Sequence, residues 1–263
     1  MNRRLLITGA GGFLGSRICE YYSNRDGYEA VGVTHRELDI EDFVAVSAFI
    51  KAIRPDYVLH CAAISNTGTC ERNPVLSEKV NVRGTINLAK ACRNAGSRMI
   101  FTSSDQIYNT SHSLEPNREG SEGKPGNVYG RDKKRAEEAM LTYLPDAVAL
   151  RLTWMYDAPS RGRAAGQGLL QKLADALKDR REVEFPVHDY RGITYVWEVV
   201  RHLEEAMGLP GGVYNFGSEN RYNTFDTARL FLRELAGSDS GGILKRNDER
   251  FASCPRNLTM DTD

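Results

Sequence analysis

Apolar positions along the first 150 residues switch repeatedly between strand-like and helix-like spacing. Arg4-Leu5-Leu6-Ile7-Thr8 is a short β-rich run that stops at glycines. Residues 12–22 then place Phe13, Ile18, Cys19 and Tyr22 toward one helix face. Residues 28–34, with Val31 and Val33, read as a strand. Phe43, Val46, Phe49, Ile50 and Ile53 recur at helical spacing, with Asp42 suited to the helix start. Tyr57-Val58-Leu59-His60 is a further strand, residues 80–92 a helix with Gly96 just past its end, and Met99-Ile100-Phe101-Thr102 the next strand.

Strands separated by helices of about 10–15 residues mean βαβ units and right-handed crossovers. The expected fold is α/β: a Rossmann-type doubly wound parallel sheet with a smaller C-terminal α/β substrate lobe. Residues 1–156 are expected to form the dinucleotide-binding domain, which can also receive later segments, and 157–263 mainly the substrate lobe. In that lobe the spacing predicts helices over 166–179, 195–207 and 224–236 and short strands near 183–185 and 213–216. Residues 108–127, rich in proline and glycine, predict a long loop of the kind that often serves function.

Charge narrows the partners. The 263 residues carry 35 Lys plus Arg against 35 Asp plus Glu, a formal net charge of zero. That balance argues against nucleic acid and against a polybasic membrane anchor. No apolar run approaches the roughly 20 residues of a membrane span, and the run after Arg3-Arg4 is too short for a signal-peptide core. Five scattered cysteines, none in a Cys-x-x-Cys pair, fit free thiols in a reducing cytoplasm rather than a disulfide framework or a metal site.

The chemistry begins at Thr8-Gly9-Ala10-Gly11-Gly12-Phe13-Leu14-Gly15. Gly9, Gly12 and Gly15 follow a strand and open a helix. Glycines there permit a tight turn and a close approach to pyrophosphate, and the helix start offers N–H groups to the phosphates. The Gly-x-x-Gly-x-x-Gly spacing resembles the extended short-chain dehydrogenase/reductase superfamily. Such a chain should also carry a tyrosine and lysine four apart, preceded by a hydroxyl after the fourth strand. Tyr129 and Lys133 supply the pair, and Thr102-Ser103-Ser104 supplies the hydroxyl. Positions i and i+4 share a helix face. The Lys133 ammonium is therefore expected near the Tyr129 hydroxyl, lowering its pKa. Tyr129 would donate a proton to a carbonyl, Ser104 would hold the same oxygen, and Lys133 would bond the nicotinamide ribose.

Other stretches resemble the dTDP-4-dehydrorhamnose reductase family. They are Glu37-Leu38-Asp39-Ile40, Pro55 to Ala63, Asn81 to Thr85, Thr102 to Tyr108, Asn127-Val128-Tyr129-Gly130, Arg151 to Tyr156 and Pro255-Arg256-Asn257-Leu258. The resemblance implies that Asp39 and Ile40 contact adenine and that Cys61, Ala62 and Ala63 line the cofactor ribose. Gly9, Gly12, Phe13, Leu14, Gly15 and Thr102 would also touch the cofactor, while Ser104, Asp105 and Trp154 face the substrate. It further implies a cytoplasmic reductase of a keto group on a nucleotide-activated sugar, a dTDP-4-keto-6-deoxyhexose leading, with a homodimer allowed. Departures sit at Ser104-Asp105-Gln106-Ile107-Tyr108 and at Asp189-Tyr190-Arg191-Gly192-Ile193-Thr194. Family members usually continue through a last helix beyond the Pro255-Arg256-Asn257 motif.

Thr34-His35-Arg36 stands where an acid usually binds the adenosine ribose of NAD. Arg36, helped by Arg17 and His35, favours NADP over NAD, although Glu37 can still reach a ribose. The Arg161-Gly162-Arg163 loop through Gly168 is a candidate for a sugar diphosphate. No residue pattern suggests a metal. An NAD-retaining epimerase or dehydratase is the first alternative. The second is a non-catalytic NADP-binding regulatory subunit like the β subunit of methionine adenosyltransferase.

Overall fold

The computed structural model describes residues 2–113, 115–158, 166, 168–237 and 242–263. The chain runs β1 (Arg3–Thr8), α1 (Phe13–Ser23), β2 (Tyr28–Val33), α2 (Phe43–Ile53), β3 (Tyr57–His60), α3 (Thr67–Arg72), α4 (Pro74–Glu78), α5 (Gly84–Ala95) and β4 (Arg98–Ser104). It continues through α6 (Val128–Tyr143), β5 (Val148–Leu152), β6 (Trp154–Tyr156), α7 (Leu169–Asp179), β7 (Val183–Pro186), β8 (Asp189–Arg191) and β9 (Ile193–Tyr195). The last elements are α8 (Val196–Gly208), β10 (Gly212–Phe216), α9 (Thr224–Ala236), β11 (Leu244–Asn247) and β12 (Arg256–Leu258).

Six strands form one parallel sheet in the order β10-β5-β4-β3-β1-β2. Both faces are covered, which is why the strands read as unbroken apolar runs. Leu6, Val58, Met99, Phe101 and Ala149 face the core shared with helices α2, α5 and α6. Leu5, Ile7, Leu59, Ile100 and Leu150 face the opposite core, under α1 and α8. The strand order reverses between β1 and β3, so a crevice opens at the carboxyl ends of these strands.

Most expected elements are present, with the cap chemistry that starts and stops them. Asp42 accepts hydrogen bonds from the N–H groups of Val44 and Ala45 at 2.9 and 3.1 Å. Gly96 ends α5 in the left-handed conformation, with φ of 71°. The helix expected over 80–92 departs from this plan. Lys79–Arg83 forms a π-helical turn, and α5 begins only at Gly84. Asn81 in that turn accepts from the Ile64 N–H at 2.9 Å and donates to the Ile64 carbonyl at 3.1 Å. It thereby holds the segment that leaves β3. Gly84 lets Ile40 pack closely on the start of α5: a Cβ there would sit 2.6 Å from Ile40 Cδ1, and that side chain would have to shift.

The later part of the chain divides its elements. Helices α7 and α9 pack with β7 around Leu169, Leu173, Phe185, Phe225 and Leu232, a core separate from the sheet. By contrast, α8 and β10 return to the sheet, β10 as its sixth strand beside β5. The 108–127 stretch is largely irregular but tied down. Asn117 N–H donates to the Thr259 carbonyl at 2.8 Å, and Asn257 Nδ2 donates to the Ser113 and Glu115 carbonyls at 2.9 and 3.0 Å. His60 is a packing residue. It is fully buried between the Thr8 and Thr85 hydroxyls and stacked on Phe101, and burial holds its pKa down at about 3. No helix among the described residues is long and apolar enough to cross a membrane.

Candidate active site

A cavity of about 700 Å³ opens where the carboxyl ends of the sheet strands meet α7, β7 and β8. Gly12, Phe13, Leu14 and Gly15 line one end, and Cys61, Ala63 and Thr102 continue that wall. Ser104, Asp105, Tyr129, Lys133 and Trp154 line the cavity as well.

The glycine turn is shaped by backbone contact. Gly9 has φ of +70°, and a Cβ on it would lie 2.7 Å from the Ala62 nitrogen. A Cβ on Gly15 would lie 2.2 Å from the Gly9 carbonyl oxygen. The loop can therefore press against both the β3 exit and its own helix only as glycine. Helix α1 starts at Gly12 with no side-chain cap and no acid in its first turn. The positive dipole end of this helix start, which lines the cavity, is therefore not offset by a capping side chain or a first-turn acid. Gly9 and Ala62 support this wall from behind rather than line it.

The Asn127 side chain caps α6 through the Gly130 N–H at 2.7 Å, which aims the first turns of that helix at the cavity. Tyr129 and Lys133 are both buried on it. Lys133 Nζ lies over the Tyr129 ring, as the shared helix face predicts, but its hydrogen bond goes elsewhere. Lys133 Nζ donates to the Thr102 carbonyl at 2.7 Å, lies 4.4 Å above the Phe101 ring, and is 5.7 Å from the Tyr129 ring centre. The expected lowering of the Tyr129 pKa is corrected accordingly. Burial raises it, the nearby Asp105 charge adds to the rise, and the Ser104 hydroxyl opposes it. Burial also lowers Lys133, from 10.5 to about 8.

Ser104 ends β4 and caps the 3₁₀ turn Asp105–Tyr108. Its hydroxyl accepts from the Gln106 N–H and donates to Asp105 Oδ1, both at 3.2 Å. Asp105 is 4% exposed, and its Oδ2 has no hydrogen-bond partner. Burial raises the Asp105 pKa, and the Arg191 charge opposes that rise.

The residues expected at the adenosine end are dispersed. Arg36 and Asp39 are exposed, in the turns that follow β2, and Ile40 is buried in the core against Gly84. None of the three lines the cavity. Arg17 is corrected as a phosphate ligand. It is 2% exposed, donates to Asp157 at 2.7 Å and to the Phe13 carbonyl at 2.6 Å, and stacks on Phe13. Glu37 folds back on Thr34, accepting from its N–H at 2.7 Å and its hydroxyl at 2.9 Å, which lowers the carboxyl pKa.

The far end of the cavity holds cations for which sequence spacing gave no signal. Lys172, Arg191, Arg250 and Arg256 all line it. Arg191 lies 4.7 Å over Trp154, and Asp189 lies between Arg191 at 3.5 Å and Arg256 at 2.7 Å. Two of these residues fall within stretches singled out for resemblance or departure, Asp189 to Thr194 and Pro255 to Leu258, yet neither stretch announced a shared site. Arg161, Gly162 and Arg163 lie outside the described residues, while Gly168 lines the cavity. Among the described residues no group of three or more His, Cys, Asp or Glu can hold a metal ion.

Comparison with known proteins places this arrangement in context. The chain is 31% identical over 249 residues to a dTDP-4-dehydrorhamnose reductase of Mycolicibacterium smegmatis, covering 91% of this chain and 71% of that protein. It is 32% identical over 266 residues to methionine adenosyltransferase 2 subunit beta of Xenopus laevis, covering 97% and 78%. Its fold matches the crystal structure of a dTDP-4-dehydrorhamnose reductase of Bacillus anthracis in complex with NADP. That match has a TM-score of 0.88 at 21% identity and covers 100% of this chain and 92% of the other. The family model for the RmlD substrate binding domain matches residues 3–263, and the chain belongs to that family.

Proposed function

We propose that the chain is an NAD(P)H-dependent reductase of the extended short-chain type, acting on a keto group of a nucleotide-activated sugar. A dTDP-4-keto-6-deoxyhexose is the leading substrate. The observation that carries this reading is one cavity that joins an uncapped glycine helix start, the Ser104–Tyr129–Lys133 group and a cationic far end. The substrate class follows the M. smegmatis relative, which is named as a reductase of such a sugar.

The glycine turn and the start of α1 would hold the pyrophosphate, with Cys61, Ala63 and Thr102 along the ribose and nicotinamide. Bound there, the dinucleotide supplies the hydride. Tyr129 delivers the proton to the carbonyl oxygen as the charge on that oxygen grows. Ser104 holds the same oxygen in line, and Lys133 can exchange its bond to the Thr102 carbonyl for the ribose hydroxyls. Trp154 and Asp105 border the sugar, and the substrate lobe formed mainly after residue 157 supplies the cations for its diphosphate. NADPH is preferred, because Arg36 is free at the surface while Glu37 is engaged with Thr34. The same reading places the protein in the cytoplasm and allows a homodimer.

Stoichiometric oxidation of NADPH with dTDP-4-keto-6-deoxyglucose tests the reading. Tyr129→Phe should abolish turnover and keep cofactor affinity. Full activity in that variant rejects the mechanism. The similarity to the Xenopus subunit favours one second reading, a cofactor-binding regulatory subunit. It gains support if the protein binds NADPH, reduces no sugar nucleotide and captures a methionine adenosyltransferase stoichiometrically.

A further inference from the structure

Arg256 reaches the cavity from β12, a strand of three residues whose ladder is with β8 alone. Two short strands are marginal by themselves. A slip of one residue would turn Arg256 to the other side of the strand, away from the cavity. The next residue, Asn257, is 7% exposed and hydrogen-bonds through each of its polar groups. Its Nδ2 donates to the Ser113 and Glu115 carbonyls at 2.9 and 3.0 Å, and its Oδ1 accepts from the Thr259 N–H and hydroxyl at 2.9 and 2.6 Å. Its main-chain N–H donates to the Ser111 carbonyl at 3.1 Å, and its carbonyl accepts from Asn117 Nδ2 at 3.1 Å. Asn117 is in turn fixed to the sheet, because its carbonyl accepts from Nδ2 of Asn215 on β10 at 2.8 Å.

We infer that Asn257 is a positioning residue: by locking β12 to the 108–127 stretch it fixes the register that aims Arg256 at the sugar nucleotide. This rests on the reductase reading, which gives the diphosphate to the cationic end of the cavity. Successive side chains of a strand point to opposite sides, so the Asn257 amide is held in the 108–127 stretch while Arg256 faces the cavity. On the cavity side Arg256 Nε donates to Asp189 Oδ1 at 2.7 Å, and its guanidinium lies 4.3 Å from the Phe251 ring centre. Asp189 is also the register partner of Arg256 across the ladder, so this ion pair is lost together with the register. The lock depends on chemistry as well as size. Two carbonyls converge on Nδ2, and an amide NH₂ can donate to both, whereas a carboxylate donates to neither.

The test measures KM and kcat for dTDP-4-keto-6-deoxyglucose in Asn257→Ala, Asn257→Asp, Arg256→Ala and the double variant Arg256→Ala/Asn257→Ala. NADPH affinity and the urea midpoint are measured on each to show that it is folded. Arg256→Ala should raise KM about 10–100-fold, the loss of one charge-assisted bond. Asn257→Ala should raise KM about tenfold with kcat and NADPH affinity within about twofold of native, and should add less than about twofold once Arg256 is gone. Asn257→Asp keeps the size of the side chain but sets an oxygen against the Ser113 and Glu115 carbonyls, so it should not restore KM. Asn117→Ala, which removes a donor to the Asn257 carbonyl, should shift KM in the same direction and decides the matter if the Asn257 variants do not fold. An equal rise in KM with and without Arg256 overturns the inference and leaves the reductase reading standing. So does native KM in Asn257→Asp or in Arg256→Ala. Failure of the native protein to oxidise NADPH with the sugar nucleotide overturns the reductase reading and the inference together.

Discussion

Replacing Lys133 with Met should make the protein more stable at neutral pH and inactive as a reductase. The Lys133 side chain is 2% exposed, and burial lowers its pKa from 10.5 to about 8. Unfolded lysine keeps its proton up to about 10.5, whereas the folded residue releases it near 8. The unfolded state therefore binds more protons between these values, and the native protein gains stability as pH rises from about 8 to 10.5. Below 8 the cost of the buried charge is present in full. At about 1.4 kcal/mol per pH unit, the gap amounts to about 3 kcal/mol.

Methionine fills a similar volume without charge but gives up the bond to the Thr102 carbonyl, which contributes about 1 kcal/mol. The variant should then be more stable by about 2 kcal/mol at pH 7 and less stable by about 1 kcal/mol at pH 10.5. The assay is urea unfolding of both proteins across that range, beside NADPH oxidation. Groups that do not feel Lys133 titrate alike in both proteins and cancel in the difference; His60, Cys61 and Cys70, whose pKa values its charge lowers, do not cancel fully. A stability difference that does not change with pH refutes the reasoning, as does a variant equally destabilised at both ends.

Gly15→Ala places a methyl group 2.2 Å from the Gly9 carbonyl oxygen, so α1 must move off the loop. NADPH affinity should fall at least about tenfold in a fluorescence titration, with about 1–3 kcal/mol of lost stability; an unchanged Kd would contradict the proposed cradle. Arg36→Ala should raise KM for NADPH by about tenfold and leave KM for NADH unchanged, since a 2′-phosphate alone needs the guanidinium; steady-state kinetics with both cofactors decides it. Glu137→Gln breaks a buried pair in which Arg151 donates Nη2 to Glu137 at 2.8 Å and Nη1 to the Tyr108 hydroxyl at 2.6 Å. It should cost about 3–5 kcal/mol in urea unfolding, and a loss under about 1 kcal/mol would show that the charge is screened.

The glycine-turn end of the cavity was legible because one contiguous stretch builds most of it. Thr8 to Gly15 contains a strand end, a turn and a helix start, and its glycines answer to contacts inside the stretch or with the next strand's exit. The pair Tyr129 and Lys133 was legible for the same reason, through the i, i+4 spacing of one helix. What those residues touch was not. Lys133 bonds the Thr102 carbonyl, and a main-chain oxygen leaves no mark of residue type. Arg17 is spent on Asp157, 140 positions away, so the nearest arginine to the glycine turn is unavailable to a phosphate.

The cationic end is harder still. Lys172 belongs to α7, Arg191 to β8, Arg256 to β12, and Arg250 to the turn between β11 and β12, so no spacing relates them. They meet because β12 pairs with β8, while the 108–127 stretch is tied to Asn257 and Thr259. One end of the cavity is thus set by local backbone geometry and the other by long-range pairing of short segments. Substitutions in the glycine turn should act on any dinucleotide alike. A change in sugar preference can instead arise far from the sheet, wherever the β8–β12 pairing or the anchoring of the 108–127 stretch shifts an arginine against Trp154 and Asp105.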